Sequence, residues 1–126
     1  MARILVIDDD NTLRWMMAMT LESVGHTVAQ AATGNEGIML FNAHPPDIVI
    51  TDLVLPEHGI GAILELREQH PDVPFIIVSG LSRHTPHTQE IGKVLRARRT
   101  LAKPFRLAEF LGAIQEVLAE LNLTKS

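Results

Sequence analysis

The chain is predicted to fold as one α/β domain around a central parallel sheet, and three observations carry that expectation. Short apolar, β-branched runs recur along the 126 residues, each followed by a polar residue and then a stretch with helical spacing, and strands that alternate with helices pair in parallel. The runs are apolar at consecutive positions, as in strands that helices cover on both faces. Hydrophobic residues make up 46% and charged residues 21%, the balance of a globular chain and not of a disordered one.

The elements follow in order. Ile4 to Ile7 is the first strand. Leu13, Met16, Met17, Thr20, Leu21 and Val24 recur at three- and four-residue steps as the inner stripe of a first helix, with Asn11 or Thr12 as its cap and Gly25 as its stop. Thr27 to Ala31 is a weak strand, and Thr33-Gly34-Asn35-Glu36 is a capping-box pattern. It opens a second helix that turns Ile38 and Phe41 inward and ends before Pro45-Pro46. Ile48 to Ile50 is the third strand, and a third helix through Ile63, Leu64 and Arg67 stops before Pro71. Phe75 to Val78 is the fourth strand; a poorly patterned fourth helix through Ile91 and Leu95 and a short strand at Thr100 to Ala102 follow. The last helix places Leu107, Phe110, Leu111, Ile114, Val117, Leu118 and Leu121 on one stripe. With no internal repeat or linker, residues 1–126 are expected to form a single domain with no output domain in this chain, the last helix being complete near Leu121.

Eleven Lys and Arg against 15 Asp and Glu give a net charge of −4 and a pI of about 5.8, so no overall field favours nucleic acid or an anionic membrane. The absence of Cys removes disulfides, thiolate nucleophiles and Cys-ligated zinc, and suits a reducing compartment. Asp8-Asp9-Asp10 breaks the first apolar run, so neither a signal-peptide core nor a membrane span can be drawn and a cytoplasmic location is expected.

Ligands of open parallel sheets bind beyond the carboxyl ends of the strands. Strand one ends in Asp8-Asp9-Asp10, strand three in Asp52, strand four in Ser79 and strand five in Lys103-Pro104. Asp10 and Asp47 read most simply as helix cap or turn former. Two carboxylates about 4 Å apart repel by about 4 kcal/mol at an effective dielectric near 20, so a cluster of Asp8, Asp9 and Asp52 asks for a cation. Oxygen ligands without His or Cys favour Mg²⁺ or Mn²⁺ over zinc, and Mg²⁺ commonly shares a phosphate. The ion and Lys103 would stabilise a phosphoryl group while Ser79 donates a hydrogen bond to it. Asp52, alone at the end of the central strand, is the candidate nucleophile that forms an acyl phosphate, with Asp8 and Asp9 holding the metal.

The pieces Ile4-Leu5-Val6-Ile7-Asp8-Asp9-Asp10, Ile48-Val49-Ile50-Thr51-Asp52-Leu53-Val54-Leu55-Pro56, Val78-Ser79-Gly80 and Lys103-Pro104-Phe105 together resemble the receiver domain of two-component response regulators, over essentially the whole chain. The resemblance implies a flavodoxin-like, doubly wound sheet of five strands in the order 2-1-3-4-5. It implies Asp52 as phosphoacceptor, Mg²⁺ on Asp9, Asp52 and the Val54 carbonyl, Asp8 acting through metal-bound water, Ser79 and Lys103 on the phosphoryl group, and a cis Lys103-Pro104 bond. A sensor histidine kinase or a histidine phosphotransfer protein would donate the phosphoryl group. A downstream protein or a second copy would dock on the face between the fourth and fifth helices, with no nucleic acid or membrane directly involved. Such a domain modifies itself and turns over no metabolite.

The chain also departs from the family. Thr100 stands where an aromatic switch residue is usual, Glu57-His58-Gly59-Ile60-Gly61 replaces the usual turn, and Leu81 to Arg99 is atypical and carries Pro86. Val54 and Leu81 are apolar at positions that in the family govern lifetime, so slow self-dephosphorylation is expected, faster in Val54→Asn. His84 and His87 read as solvated loop residues, and Lys93, Arg96, Arg98 and Arg99 as a solvated or partner-facing basic run. Trp15 lies opposite the first helix's inner stripe and is expected to be at least partly exposed, available to a kinase or phosphotransfer helix; Met16 and Met17 read as core filler. Two other functions fit less well. One is a docking module that is never phosphorylated, and the other a haloacid-dehalogenase-like phosphatase with Asp8 as nucleophile and Asp10 as acid/base, in which Asp52 has no role.

Overall fold

Every strand predicted from the apolar runs forms, most of them one residue longer than the runs themselves. A computed structural model of the chain describes residues 1–53, 59–80, 93 and 95–125. The strands are β1 (Arg3–Ile7), β2 (Thr27–Ala31), β3 (Ile48–Thr51), β4 (Phe75–Ser79) and β5 (Arg99–Ala102). The helices are α1 (Asn11–Ser23), α2 (Gly34–Ala43), α3 (Gly59–Gln69) and the C-terminal α4 (Leu107–Lys125). The sheet order is β2-β1-β3-β4-β5, with every neighbouring pair parallel.

The consecutive apolar residues of the strands divide between two cores because successive side chains point to opposite faces. Ile4, Val6, Ile48, Ile50, Ile76 and Val78 pack with Met17 and Leu21 of α1 and with Phe110, Ile114 and Val117 of α4. Leu5, Ile7, Val49, Phe75 and Ile77 pack on the other face with Phe41 of α2 and Ile63 and Leu66 of α3. Each large side chain so buried contributes about 1.5–3 kcal/mol. Among the described residues no helix is long and apolar enough to cross a membrane.

Local chemistry sets the helix ends and corrects two expectations. Of the caps the sequence offers, Asp10 takes the place, in line with its reading as a helix cap, and Asn11 and Thr12 do not: the Asp10 side chain accepts from the Leu13 amide, and Asn11 and Thr12 already lie inside the helix. Met17, Ala18 and Leu21 form the buried stripe of α1. Met16 instead faces outward and Val24 lies past the last turn, both 37% exposed. At 100° per residue Met16 falls well away from the centre of that stripe. Gly25 ends the turn at φ 97°, where a side chain would be strained. The capping box of α2 forms, Thr33 accepting from the Glu36 amide and Glu36 from the Ala32 amide. On α3 Ile63 is buried but Leu64 is 38% exposed, since it lies 100° further round the helix.

Gly37 brings α2 close to β1, for a Cβ there would stand 2.6 Å from Ile7 Cδ1. The expected fourth helix through Ile91 and Leu95 falls mostly outside the described residues, as do His84 and His87; Leu95 is buried beside α3 and the sheet. The last helix runs to Lys125, beyond the expected end near Leu121, and Arg98 and Arg99 of the basic run tie β5 to it through Glu120.

Candidate functional site

Main-chain hydrogen bonds carry the strands one residue past the regular sheet and so stage the polar residues at its carboxyl edge. The Asp8 amide donates to the Ala31 carbonyl, that of Asp52 to Ile7, and that of Lys103 to Ser79, each at 3.0 Å. Asp8 and Ser79 are fully buried, Asp52 is 6% exposed and Asp9 is open to solvent. The fold thereby gathers residues from four sequence regions. One carboxylate oxygen from each of Asp8, Asp9 and Asp52 lies within 4.8 Å of the others. Lys103 Nζ donates to Asp8 Oδ2 at 2.8 Å and to Asp52 Oδ2 at 2.6 Å. The Lys103-Pro104 bond that follows is cis.

Burial dominates the electrostatics of Asp8 and pushes its carboxyl above the ordinary value, against the Lys103 ammonium and the Asp10 amide, which both favour the charged form. Burial also disfavours charge on Lys103, but Asp52 and Asp8 outweigh it and hold the ammonium above its usual range. The site therefore sets a firmly charged ammonium against a buried carboxyl, Asp8, that gives up its proton less readily than usual. Three convergent oxygen donors without nitrogen or sulfur match a hard divalent cation, with one face of Asp9 left to water.

Around the cluster, Asp10 N donates to Asp8 Oδ1 at 2.9 Å and Arg14 Nη1 to the Asp8 carbonyl at 2.7 Å. Arg14 escaped the sequence reading; the available signal was a charged residue one helical turn after the cap Asp10, hence beneath the loop that follows β1. Thr51 donates its hydroxyl to the Asp52 carbonyl at 2.8 Å. Thr100 pairs in register with Ile77 in mid-strand and is exposed, so it stands apart from the acidic cluster. Trp15 is 56% exposed and borders a shallow depression with Asn11, Thr12, Arg14 and Gln30. A second groove, lined by Leu13, Met16, Pro104 and Phe105, leads to Lys103. Val54 and Leu81 lie outside the described residues. Asp10 is occupied as a helix cap, and Asp52 stands inside the cluster, so the phosphatase alternative loses its acid/base and its reason to ignore Asp52.

Comparison with known proteins agrees with this fold. The sequence model of the response regulator receiver domain matches residues 4–115. Protein PilH of Pseudomonas aeruginosa is 35% identical over 124 residues, covering 94% of this chain and 99% of that protein. The probable transcriptional regulator ycf27 of Porphyridium aerugineum is 34% identical over 125 residues, 98% of this chain but 51% of that protein. The chain thus spans about half the length of some relatives and nearly all of others. The structure of chemotaxis protein CheY4 of Vibrio cholerae superposes with a TM-score of 0.83 at 28% identity, over 93% of this chain and 98% of that one. By the sequence match, the sheet order and the carboxyl-edge cluster together, the chain belongs to the response regulator receiver domain family of two-component signalling.

Proposed function

We propose that Asp52 is the phosphoacceptor and that Asp8, Asp9 and Asp52, with the Val54 carbonyl, hold Mg²⁺, Mn²⁺ serving in its place. The convergence of the three carboxylates beneath the Lys103 ammonium carries this reading. When bound, the ion would supply positive charge to the equatorial phosphoryl oxygens. An Asp52 oxygen attacks the phosphorus of a phosphohistidine, the new O–P bond forms as the P–N bond breaks, and the departing imidazole takes up a proton. Lys103 neutralises the charge gathered on the transferred group, and Ser79, at the end of β4, donates a hydrogen bond to it. The protein catalyses only its own phosphorylation and dephosphorylation.

The phosphodonor in this reading is a sensor histidine kinase or a histidine phosphotransfer protein, seated over α1. Trp15, Met16 and Met19 are 56%, 37% and 48% exposed there, an apolar strip beside the groove to Lys103 that suits a helical partner. A downstream protein or a second copy takes the face between the fourth helix expected from the sequence, which falls mostly outside the described residues, and α4, with Ser79 and Thr100 as the switch positions. The chain acts as one receiver unit, in the cytoplasm.

The test is intact mass after incubation with Mg²⁺ and acetyl phosphate, beside Asp52→Asn and Asp8→Asn. Gain of one phosphoryl group, lost in Asp52→Asn, is expected. A wild type that binds Mg²⁺ yet stays unmodified would favour the docking-module function, and label that tracks Asp8 would favour the phosphatase.

A further inference from the structure

Arg14 is placed in an unusual way for a helical arginine in its first turns. The side chain could extend into water, yet it folds back beneath the loop after β1 and donates Nη1 to the Asp8 carbonyl at 2.7 Å. Its Nε is enclosed and finds no hydrogen-bond partner among the described residues. Leaving a buried donor unpaired is unfavourable, so the contact to the Asp8 carbonyl is held against an opposing cost that solvent exposure would remove. That carbonyl belongs to the peptide joining Asp8 to Asp9, and its plane sets the direction in which Asp9 leaves the strand. The same loop is tied from its other side by the Asp10 amide on Asp8 Oδ1, and the cap at Asp10 anchors both ties to α1.

We propose that Arg14 is a positioning residue for the cation site: by clamping the Asp8–Asp9 peptide it holds the exposed Asp9 carboxylate where it can share one ion with Asp8 and Asp52. The inference rests on the proposed Mg²⁺ site and goes beyond it to a residue that touches neither ion nor phosphoryl group. Charge alone makes the opposite prediction, because a cation near the cluster repels Mg²⁺ and its removal should tighten binding. The sign of the effect therefore separates positioning from electrostatics.

The experiment is calorimetric Mg²⁺ titration of wild type, Arg14→Met and Arg14→Lys, with amide chemical shifts of Asp9 and Asp10 recorded in EDTA. Arg14→Met is expected to bind Mg²⁺ about tenfold more weakly, as when an orienting partner of a metal ligand is lost, and to shift the Asp9 amide before any metal is added. Arg14→Lys, whose shorter point-charge donor reaches the carbonyl less well, is expected to recover part of the affinity and remain about threefold weaker than wild type. Unchanged or tighter binding by Arg14→Met overturns the inference. Should that variant fail to fold, wild-type affinity in Arg14→Lys overturns it instead. No Mg²⁺ binding by the wild type would overturn the metal site itself, a result distinct from any seen only in the variants.

Discussion

Replacing Asp8 by Asn should stabilise the metal-free protein. Full burial of the ionised carboxylate is the largest contribution, several kcal/mol, taken as about 7. Against this, Lys103 at 2.8 Å attracts by about 6 kcal/mol at an effective dielectric near 20. Asp52, whose charge Lys103 also meets, and exposed Asp9 together add about 1.5 kcal/mol of repulsion. Ionised Asp8 is thus unfavourable by about 2.5 kcal/mol. The carboxamide forfeits the Asp10 amide bond and carries a smaller burial cost of its own, together about 1.5 kcal/mol, leaving a gain of about 1 kcal/mol. In urea with EDTA that is a midpoint higher by about 0.5 M for a slope near 2 kcal/mol/M.

The pH dependence supplies a second check on the same variant. Burial holds the folded Asp8 carboxyl above its ordinary pKa of 3.8, so the wild type's deficit is fully present above the raised value, shrinks as pH falls through it, and vanishes below 3.8. A midpoint for Asp8→Asn below that of the wild type at neutral pH, or a gap indifferent to acid, would refute the charge argument.

Other outcomes follow from the same structure. Lys103→Met should be less stable than wild type at neutral pH, and because the folded pKa of Lys103 is raised, the difference should persist to alkaline pH and fade only as the wild-type ammonium deprotonates, measured by urea midpoints across that range. Thr33→Ala removes the acceptor for the Glu36 amide and should cost about 1 kcal/mol in the same assay. Gly37→Ala gains about 1 kcal/mol of helix propensity. It also forces a methyl group to within 2.6 Å of Ile7 Cδ1, overpacking that costs about 1–3 kcal/mol, so a net loss of about 1 kcal/mol is expected by thermal or chemical unfolding.

The strands were legible because Ile4 to Ile7 of β1, Ile48 to Ile50 of β3 and Phe75 to Val78 of β4 are apolar at consecutive positions, the pattern of strands covered by a layer on each face. The acidic cluster was legible for a related reason: parallel strands deliver their next residues to one edge, so Asp8 and Asp52 needed no side-chain geometry to be placed together. The interior of α1 was less so. Periodicity counts Met16 with Met17 as apolar, and only packing against α4 and β2 decides which of them faces the core. Arg14 was illegible for another reason, since its contact is with a main-chain carbonyl and a main-chain partner leaves no mark in residue type. Asn11, Thr12 and Asp10 are all competent caps, and the choice among them was made by where the extended backbone ends.

The division of the interior into two cores makes the sheet a partition between compartments that, among the described residues, share no buried side chain. Met17, Leu21, Phe110 and Ile114 answer to one set of strand residues and Phe41, Ile63 and Leu66 to the other. Substitutions can accumulate in one compartment while the other keeps its packing, so the α1–α4 side can be rewritten to suit a new partner without disturbing how α2 and α3 sit. The carboxyl edge belongs to both compartments at once, and neither side can revise it alone.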